Sequence, residues 1–368
     1  MSITFVKFRL EEILKMSSSR TKILLIVDSP GPADSFSVFL PRLAKIAEVK
    51  VLALAKAYPI LKNFGAEEVA TGEQIAAVVD LFKPEIFLPA ISSLVQGPYL
   101  LNDSVKLAKA KSIPVFLFQD FWSNHRHPSN FAMMSFWDAV ATVDNLAADL
   151  LKDDKYQGQI FVTGNPAYDK FFHGEFETKR KQARKKLGIP DDRKLVLYVG
   201  QGSATNLFSD VPTFKLLCEA LELLKDPVLL SVRPHPRSES IEHYQKFSAD
   251  LEMVHTPEFF LTDELLPAAD LVISMYASNL VHASILGVPT ISILLPGAGR
   301  KALELCRLDD FPLNNGKGTL GFYENSAEKL AETISEVLKG KIKQTHPDFK
   351  SGAADRLASA VKIFTEGL

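Results

Sequence analysis

The sequence predicts an α/β protein of two Rossmann-like, doubly wound domains facing a cleft, and three observations predict it. Apolar runs of strand length alternate with helical patterns along the chain, the signature of parallel sheets covered on both faces. The length of 368 residues, 46% hydrophobic and 23% charged, suits two domains with real cores. One compositional break, a charged stretch after Asn165, divides the alternation into two similar halves.

In the first half the strand patterns read Lys22–Asp28, Lys50–Ala55, Ile86–Ala90, Pro114–Gln119, Ala139–Val143 and Gln159–Thr163. Helical patterns between them cover Phe36–Ala47, Gly72–Lys83, Asp103–Lys111 and Asn145–Lys152. Phe171–Lys186 then carries Lys179, Arg180, Lys181, Arg184, Lys185 and Lys186 with no interleaved aromatic platform, and reads as a solvated connecting helix. In the second half the strands read Leu195–Gly200, Val228–Arg233, Leu251–Val254, Leu271–Ser274 and Thr290–Leu294. Helices fit Val211–Leu224, Ser240–Ala249, Asn279–Leu286 and Ala327–Leu338, and a last one, Gly352–Glu366, is expected to pack back across the hinge. The resulting division is an extension over 1–20, a first domain over 21–165, a linker over 166–192, a second domain over 193–345 and a final helical segment over 346–368.

A formal net charge of −2 supplies no global basic field, so no nucleic-acid partner is expected and any anion must be held by local groups. Cys218 and Cys306 sit in apolar helical patterns and read as buried free thiols, which suits a reducing cytoplasm. No stretch approaches the roughly 20 apolar residues of a membrane helix. Met1–Lys15 is apolar but interrupted by Lys7, Arg9, Glu11, Glu12 and Lys15, unlike a signal peptide. It reads as a helix or a loosely held arm, with a membrane-surface patch as the other reading.

Ligands of open parallel sheets bind beyond the carboxyl ends of the strands, so the residues after each strand are the candidates. Gly200-Gln201-Gly202-Ser203-Ala204-Thr205 offers a tight turn and hydroxyl donors, without the third glycine of a dinucleotide fingerprint. Arg233-Pro234-His235-Pro236-Arg237 is the sharpest local signal. Its two prolines stiffen the backbone, so Arg233 and His235 are held at the mouth of the sheet, where a guanidinium and an imidazole suit a phosphate. Ser278 is expected as the N-cap of the helix after Leu271–Ser274, with Asn279 beside it, where free amides form an anion site. In the first half, Asp28 and Gly31 follow the first strand, while Asp120, Trp122, His125 and His127 follow Pro114–Gln119. Asp120 and His125 are the candidate general bases. His125-x-His127 is half a metal site with no third ligand in sight, and no metal is expected. A phosphate loop, a nucleophile elbow, a His-Glu-x-x-His helix and an Asp-x-Asp pair are all absent from the sequence.

These residues resemble the GT-B superfamily, the two-domain glycosyltransferases and nucleotide-sugar 2-epimerases. Val162-Thr163-Gly164-Asn165-Pro166 is similar to the inter-domain segment of the epimerases. The stretches Ala268–Ser274 and Ala283–Pro289 are similar to the donor-site strand-helix-strand. Arg233-Pro234-His235-Pro236 resembles the His-Pro element of bacterial sialyltransferases, capsule Kdo transferases and glycerophosphotransferases, and Ser274 with Ser278 matches the serine pair those families place near donor phosphate. Tyr276–His282 and Gln201–Asn206 depart from the epimerase pattern, and the paired glutamates of retaining transferases are not recognisable.

The resemblance implies a metal-independent transferase in a cytoplasmic setting, with no cofactor beyond a nucleotide-sugar co-substrate. Gly202, Ser203, Arg233, His235, Ser274, Ser278 and Asn279 would bind the donor. Asp28, Gly31 and Trp122 would bind a glycan or lipid-linked acceptor, and Asp120, His125 and His235 would be catalytic. Peripheral membrane association and a homodimer are compatible with this reading. A 2-epimerase of the same fold and a non-catalytic sugar-nucleotide or glycan-binding protein are the alternatives.

Overall fold

The computed structural model describes residues 20–54, 56–91, 100–172, 174–201, 209–235, 241–256, 261–314 and 316–368. Two wholly parallel sheets organise it. The first contains β1 (Lys22–Val27), β2 (Glu48–Ala53), β3 (Glu67–Glu68), β4 (Ile86–Ile91), β5 (Phe116–Gln119), β6 (Ala139–Thr142) and β7 (Gln159–Val162) in the order β3-β2-β1-β4-β5-β6-β7. The second contains β8 (Leu195–Val199), β9 (Leu229–Arg233), β10 (Leu271–Ser274), β11 (Thr290–Ile293) and β12 (Leu320–Phe322) in the order β12-β11-β10-β8-β9. Strand order reverses between β1 and β4 in the first sheet and between β8 and β10 in the second. These are the crevices where an open α/β sheet receives a ligand.

The strands are buried on both faces because helices cover both. In the first sheet, Leu25, Leu88 and Phe118 face one apolar cluster while Leu24, Phe87 and Leu117 face another. α1 (Pro30–Ile46), α2 (Gly72–Phe82), α3 (Leu100–Ala110) and α4 (Asn145–Asp153) supply the covering apolar stripes. Start signals are local: Thr71 and Gln74 form a capping box for α2, and Asp144 caps α4 by accepting from the Ala147 amide at 2.9 Å.

The charged stretch forms α5 (Phe176–Leu187), but it is docked rather than solvated. Arg180 and Arg184, one turn apart, share one helix face and grip the carboxylate of Asp270 at 2.9 and 3.2 Å. They also donate to the carbonyls of Pro267, Ala268 and Ala269, which end a helical turn just before β10. The connector is thereby fastened to the second sheet.

The second sheet is covered by α6 (Val211–Glu222), α7 (Ser278–Leu286), α8 (Ala298–Cys306) and α9 (Ala327–Leu338). The last helix, α10 (Ala353–Glu366), returns to the first sheet. Leu357, Val361 and Phe364 are buried among first-sheet residues, and each such side chain stabilises by about 1.5–3 kcal/mol. Asp169 receives the first amides of α10, Ala353 and Ala354, both at 2.9 Å. Gly164 holds φ at +84°, and a side chain there would meet Ala353 and Arg356 at 3.0 and 2.9 Å, so the hinge turn needs a glycine twice over.

Three local expectations differ from the structure. Leu251–Val254 makes one isolated bridge, Met253 to Leu230, rather than a strand. β3 is acidic and exposed, so its sequence carries no strand signal. α8 follows β11 where no helix is expected, its short apolar face being Ala298, Ala302, Leu303 and Cys306 against the core. Cys218 is buried and Cys306 half-buried, and both are free thiols. Among the described residues no helix is long and apolar enough to cross a membrane.

Candidate functional site

The carboxyl ends of β1 and β5 place Asp28, Gly31 and Asp120 together. Gly31 opens α1, and a Cβ there would lie 2.6 Å from Asp120 Oδ2. The absence of a side chain at this position is what lets the carboxylate sit against the helix start. Burial pushes the Asp120 carboxyl up to about 7, opposed by a hydrogen bond from the Asn124 amide and reinforced by the charge of Asp28. A carboxyl in that range exchanges protons near neutral pH.

A scaffold of amides holds Asp120. Asn124 Nδ2 donates to its carboxylate and to the Ile91 carbonyl, the latter at 3.0 Å. Asn165 Nδ2 donates to the Asp120 backbone carbonyl at 2.9 Å, while its Oδ1 accepts from Ser35 Oγ at 2.7 Å and from Ala167 N at 2.9 Å. The hinge asparagine therefore joins β5, α1 and the exit of the first sheet. Tyr168 lies close enough for the Asp120 charge to add to the burial that raises its phenol. Two buried polar atoms at this rim, Ser29 Oγ and Asn124 Oδ1, have no partner among the described residues. Orphans of this kind mark places where a ligand or water completes the bonding.

Two expected first-sheet residues do not belong to this group. His125 is wholly buried, its Nδ1 2.9 Å from Gln119 Oε1 and its Nε2 3.0 Å from Asp154 Oδ2. Burial lowers its pKa to about 4, so both nitrogens serve the local network and none reaches a substrate. Trp122 is also wholly buried. Its Nε1 donates to Asp144 Oδ2 at 2.5 Å, and its ring packs on Phe121, Phe311 and Phe349. With Tyr276, which contacts Phe121 and Phe311, these rings form an apolar bridge between the sheets. Trp122 is core at that bridge, not an acceptor contact. Beside it Arg126 Nη1 donates to the Arg307 carbonyl at 2.7 Å, and the Arg307 guanidinium lies 4.7 Å from the Phe131 ring.

The second rim is built at the ends of β8, β9 and β10. Arg233 ends β9 in register with Val199, and Gly200 N donates to its carbonyl at 2.8 Å. A Cβ on Gly200 would meet Tyr244 Oη at 2.9 Å and His235 N at 3.0 Å, so glycine permits the close approach of the Arg233–His235 segment. Arg233 and His235 are both half-buried at this rim. Gly202 and Ser203 lie outside the described residues, as do Pro236 and Arg237.

Ser274 is wholly buried within the sheet, and its hydroxyl donates to the Val199 carbonyl at 2.7 Å. It ties β10 to β8 instead of facing a phosphate. Ser278 is not the N-cap either: Ala277 is, with extended backbone (φ −135°, ψ 143°) and no capping side chain. Ser278 is exposed in the first turn and Asn279 is half-buried beside it. Ala277 thus offers the first amides of the helix no side-chain cap.

Sequence reasoning passed over Asn124, Gln201, Asp210 and Tyr168. Gln201 stands two residues beyond a strand and was within reach as a signal; Asp210 was not, because ten residues separate it from β8. Among the described residues no group of three or more His, Cys, Asp or Glu is arranged around a common point for a metal.

Comparison with solved structures identifies the architecture. UDP-GlcNAc 2-epimerase from Neisseria meningitidis bound to UDP-GlcNAc superposes with a TM-score of 0.69 at 14% identity, covering 93% of this chain and 100% of that one. MurG from Acinetobacter baumannii gives 0.61 at 13% identity over 93% and 99%. A glycosyltransferase from Rickettsia africae gives 0.56 at 14% over 95% and 94%. The chain has the GT-B fold, two Rossmann-like domains of the kind found in glycosyltransferases and UDP-GlcNAc 2-epimerases. Residues 131–291 match the model of a transferase family, the CDP-glycerol:poly(glycerophosphate) glycerophosphotransferases. That span takes in Arg233-Pro234-His235-Pro236, β10, α7 and the start of β11. No curated protein matches by sequence search.

Proposed function

We propose that this protein transfers a sugar or a related group, the glycerophosphoryl group included, from a nucleotide donor to a glycan-type acceptor. The observation that carries the reading is that two strand-end rims meet where Phe121, next to Asp120, contacts Tyr276, just before α7, at 5.4 Å between ring centroids. Asp120, a buried carboxyl with pKa about 7, stands on one. On the other stand Arg233, His235 and the amides at the start of α7. The family match over residues 131–291 supports transfer from a nucleotide-linked donor, and the nucleotide sugar in the similarly folded Neisseria epimerase supports a donor of that class.

In this reading the acceptor hydroxyl lies at the first rim, near Asp28 and Gly31. Asp120 takes its proton as the oxygen bonds to the transferred centre, C1 of a sugar or phosphorus of a glycerophosphoryl group. The bond from that centre to the nucleotide's phosphate oxygen breaks, and the nucleotide leaves with the electron pair. Arg233, His235 and the α7 amides stabilise the charge that develops on it. We propose that no metal is needed, so a chelator should leave turnover unchanged. The setting we propose is cytoplasmic, with a lipid-linked glycan as one acceptor class and a peripheral membrane contact or a homodimer compatible with it.

Incubation with UDP-, CMP-, CDP- and GDP-linked donors, CDP-glycerol among them, and glycan or lipid-linked acceptors tests the proposal. Acceptor-dependent release of nucleotide is the expected result. An epimerised sugar without transfer would show the 2-epimerase activity instead, and tight binding without turnover would show a binding protein.

A further inference from the structure

Gln201 spans the crevice at which strand order reverses in the second sheet. It is the second residue after β8, and its side-chain Oε1 accepts from the backbone N–H of Tyr276, the second residue after β10, at 3.1 Å. Only the oxygen of a carboxamide accepts from an N–H, so this contact sets which end of the amide is which. With its oxygen committed, the group has two N–H donors left on Nε2, and no acceptor among the described residues takes them.

The backbone beneath is fixed as firmly. Gln201 N donates to Asp210 Oδ2 at 2.7 Å, and that buried carboxylate also accepts from the hydroxyls of Tyr198 and Tyr244, each at 3.1 Å from Oδ2. Asp210 precedes α6 and Tyr244 lies in the short helix Ile241–Gln245, so three segments converge on one carboxylate. Such convergence holds a side chain in a single orientation without the entropy cost of ordering it when a ligand arrives. The amide that results borders the start of α7 on one side. On the other it follows Gly200, whose N–H is bonded to Arg233. Its neighbours at the start of α7 are backbone N–H groups, so an oxygen-rich anion is the ligand chemistry it suits.

We propose that Gln201 is a donor-binding residue whose Nε2 hydrogen-bonds a phosphate oxygen of a nucleoside diphosphate group, and that Asp210 is the positioning residue that aims it. The assignment rests on the donor-site reading above.

Titration calorimetry with CDP, UDP and GDP on the wild type and on Gln201→Glu, Gln201→Ala and Asp210→Asn, with melting temperatures from the same samples, tests it. Gln201→Glu keeps an oxygen for the Tyr276 N–H but turns the donor end into a charged acceptor. The expected result is at least tenfold weaker binding of the diphosphate that the wild type binds, at an unchanged melting temperature. Gln201→Ala should lose less, because it removes a donor without adding a repelling charge. Asp210→Asn should weaken binding by a smaller factor, and in the double variant with Gln201→Ala its effect should vanish, which a purely structural role would not produce. Equal affinity of Gln201→Glu and wild type, or a lowered melting temperature with affinity intact in the folded fraction, overturns the assignment. A wild type that binds none of the three diphosphates overturns the donor-site reading itself, and the assignment with it.

Discussion

The two rims of the cleft come from equivalent places in two similar sheets, yet they are finished in opposite ways. The first presents the carboxyls of Asp28 and Asp120 and, among the described residues, the unpartnered Asn124 Oδ1. The second presents donors: backbone amides at α7, the Gln201 carboxamide, the Arg233 guanidinium. A parallel sheet supplies the same geometry to both, so the difference lies in which residues follow the strands. In the proposed reaction the contrast becomes a division of labour, with proton transfer on one side and anion binding on the other. It can be broken by moving a property from one rim to the other.

The largest effect is expected at Asp120. Asp120→Asn keeps the shape and the Asn124 contact while removing the proton acceptor. General-base catalysis is worth roughly 10²- to 10⁴-fold, so kcat should fall by that order while donor affinity stays. In the wild type the rate should rise with pH through about 7, where Asp120 loses its proton. Stability should move the other way. The folded pKa lies above the ordinary 3.8 of an aspartate, so the folded state binds the proton more tightly. The resulting stabilisation is complete below pH 4 and is lost as the pH rises through 7. Asp120→Asn should therefore melt at a higher temperature than wild type at pH 8 and show little difference at pH 4. A variant that loses donor affinity along with rate would join the two rims into one binding surface and end the division.

Arg233 comes second. Arg233→Ala should weaken nucleotide binding about ten- to a hundredfold, the worth of one charge-assisted contact of about 1.5–3 kcal/mol. Arg233→Lys should recover part of it, since an ammonium keeps the charge and loses the planar fork. Unchanged affinity in a folded Arg233→Ala protein would remove this strand end from the donor rim.

His125 sharpens the first rim by exclusion. It stands five residues from Asp120 and looks equally suited to be a base, but it is buried with its two nitrogens turned to Gln119 Oε1 and Asp154 Oδ2. His125→Ala should cost about 1–3 kcal/mol of stability by leaving buried partners unpaired, with kcat kept in the folded fraction. Its folded pKa, about 4, lies below the ordinary 6.5. The stability that His125 contributes by staying neutral should thus fade as the pH drops from 6.5 through 4, and this acid loss should shrink in the variant. Melting curves across that range, set beside turnover, check both.

The pair of Asp120 and His125 also shows how far a sequence can be read here. Alternation of apolar runs announced both sheets, because a strand buried on two faces needs a continuous apolar run and a covering helix needs its stripe. The exceptions had less such need: β3 lies exposed at an edge, and α5 packs only a narrow stripe of Phe176, Ala183 and Leu187 and is fastened by two arginines as well. At the candidate site, position after a strand singled out Asp120 and Arg233, and the structure places both at strand ends. It did not distinguish a side chain facing the cleft from one facing the core, so His125, Trp122 and Ser274 looked alike to it. That distinction depends on partners distant in sequence, Asp154 for His125 and Val199 for Ser274. Asp210 was invisible for the same reason: its importance lies in three segments meeting on it, which no local pattern encodes.

The smallest effect is expected at the start of α7, and there the two possible roles of a helix end pull apart. Ala277 occupies the N-cap with the extended backbone that a capping residue adopts, and its carbonyl accepts from Leu280 N at 3.1 Å, yet its side chain has no oxygen to offer the first-turn amides. Serine or aspartate at an N-cap typically stabilises by about 0.5–2 kcal/mol over alanine. Ala277→Asp should therefore raise the melting temperature. If the amides serve the donor phosphate, the new carboxylate competes for them and adds a like charge, and nucleotide affinity should fall several-fold in the same protein. Ala277→Ser should show a smaller gain and a smaller loss. Ser278→Ala should change both quantities little, because Ser278 is exposed and caps nothing. A stabilised Ala277→Asp protein with full nucleotide affinity would mean that the α7 amides are open to solvent only, and the donor rim would then rest on Arg233 and Gln201 alone.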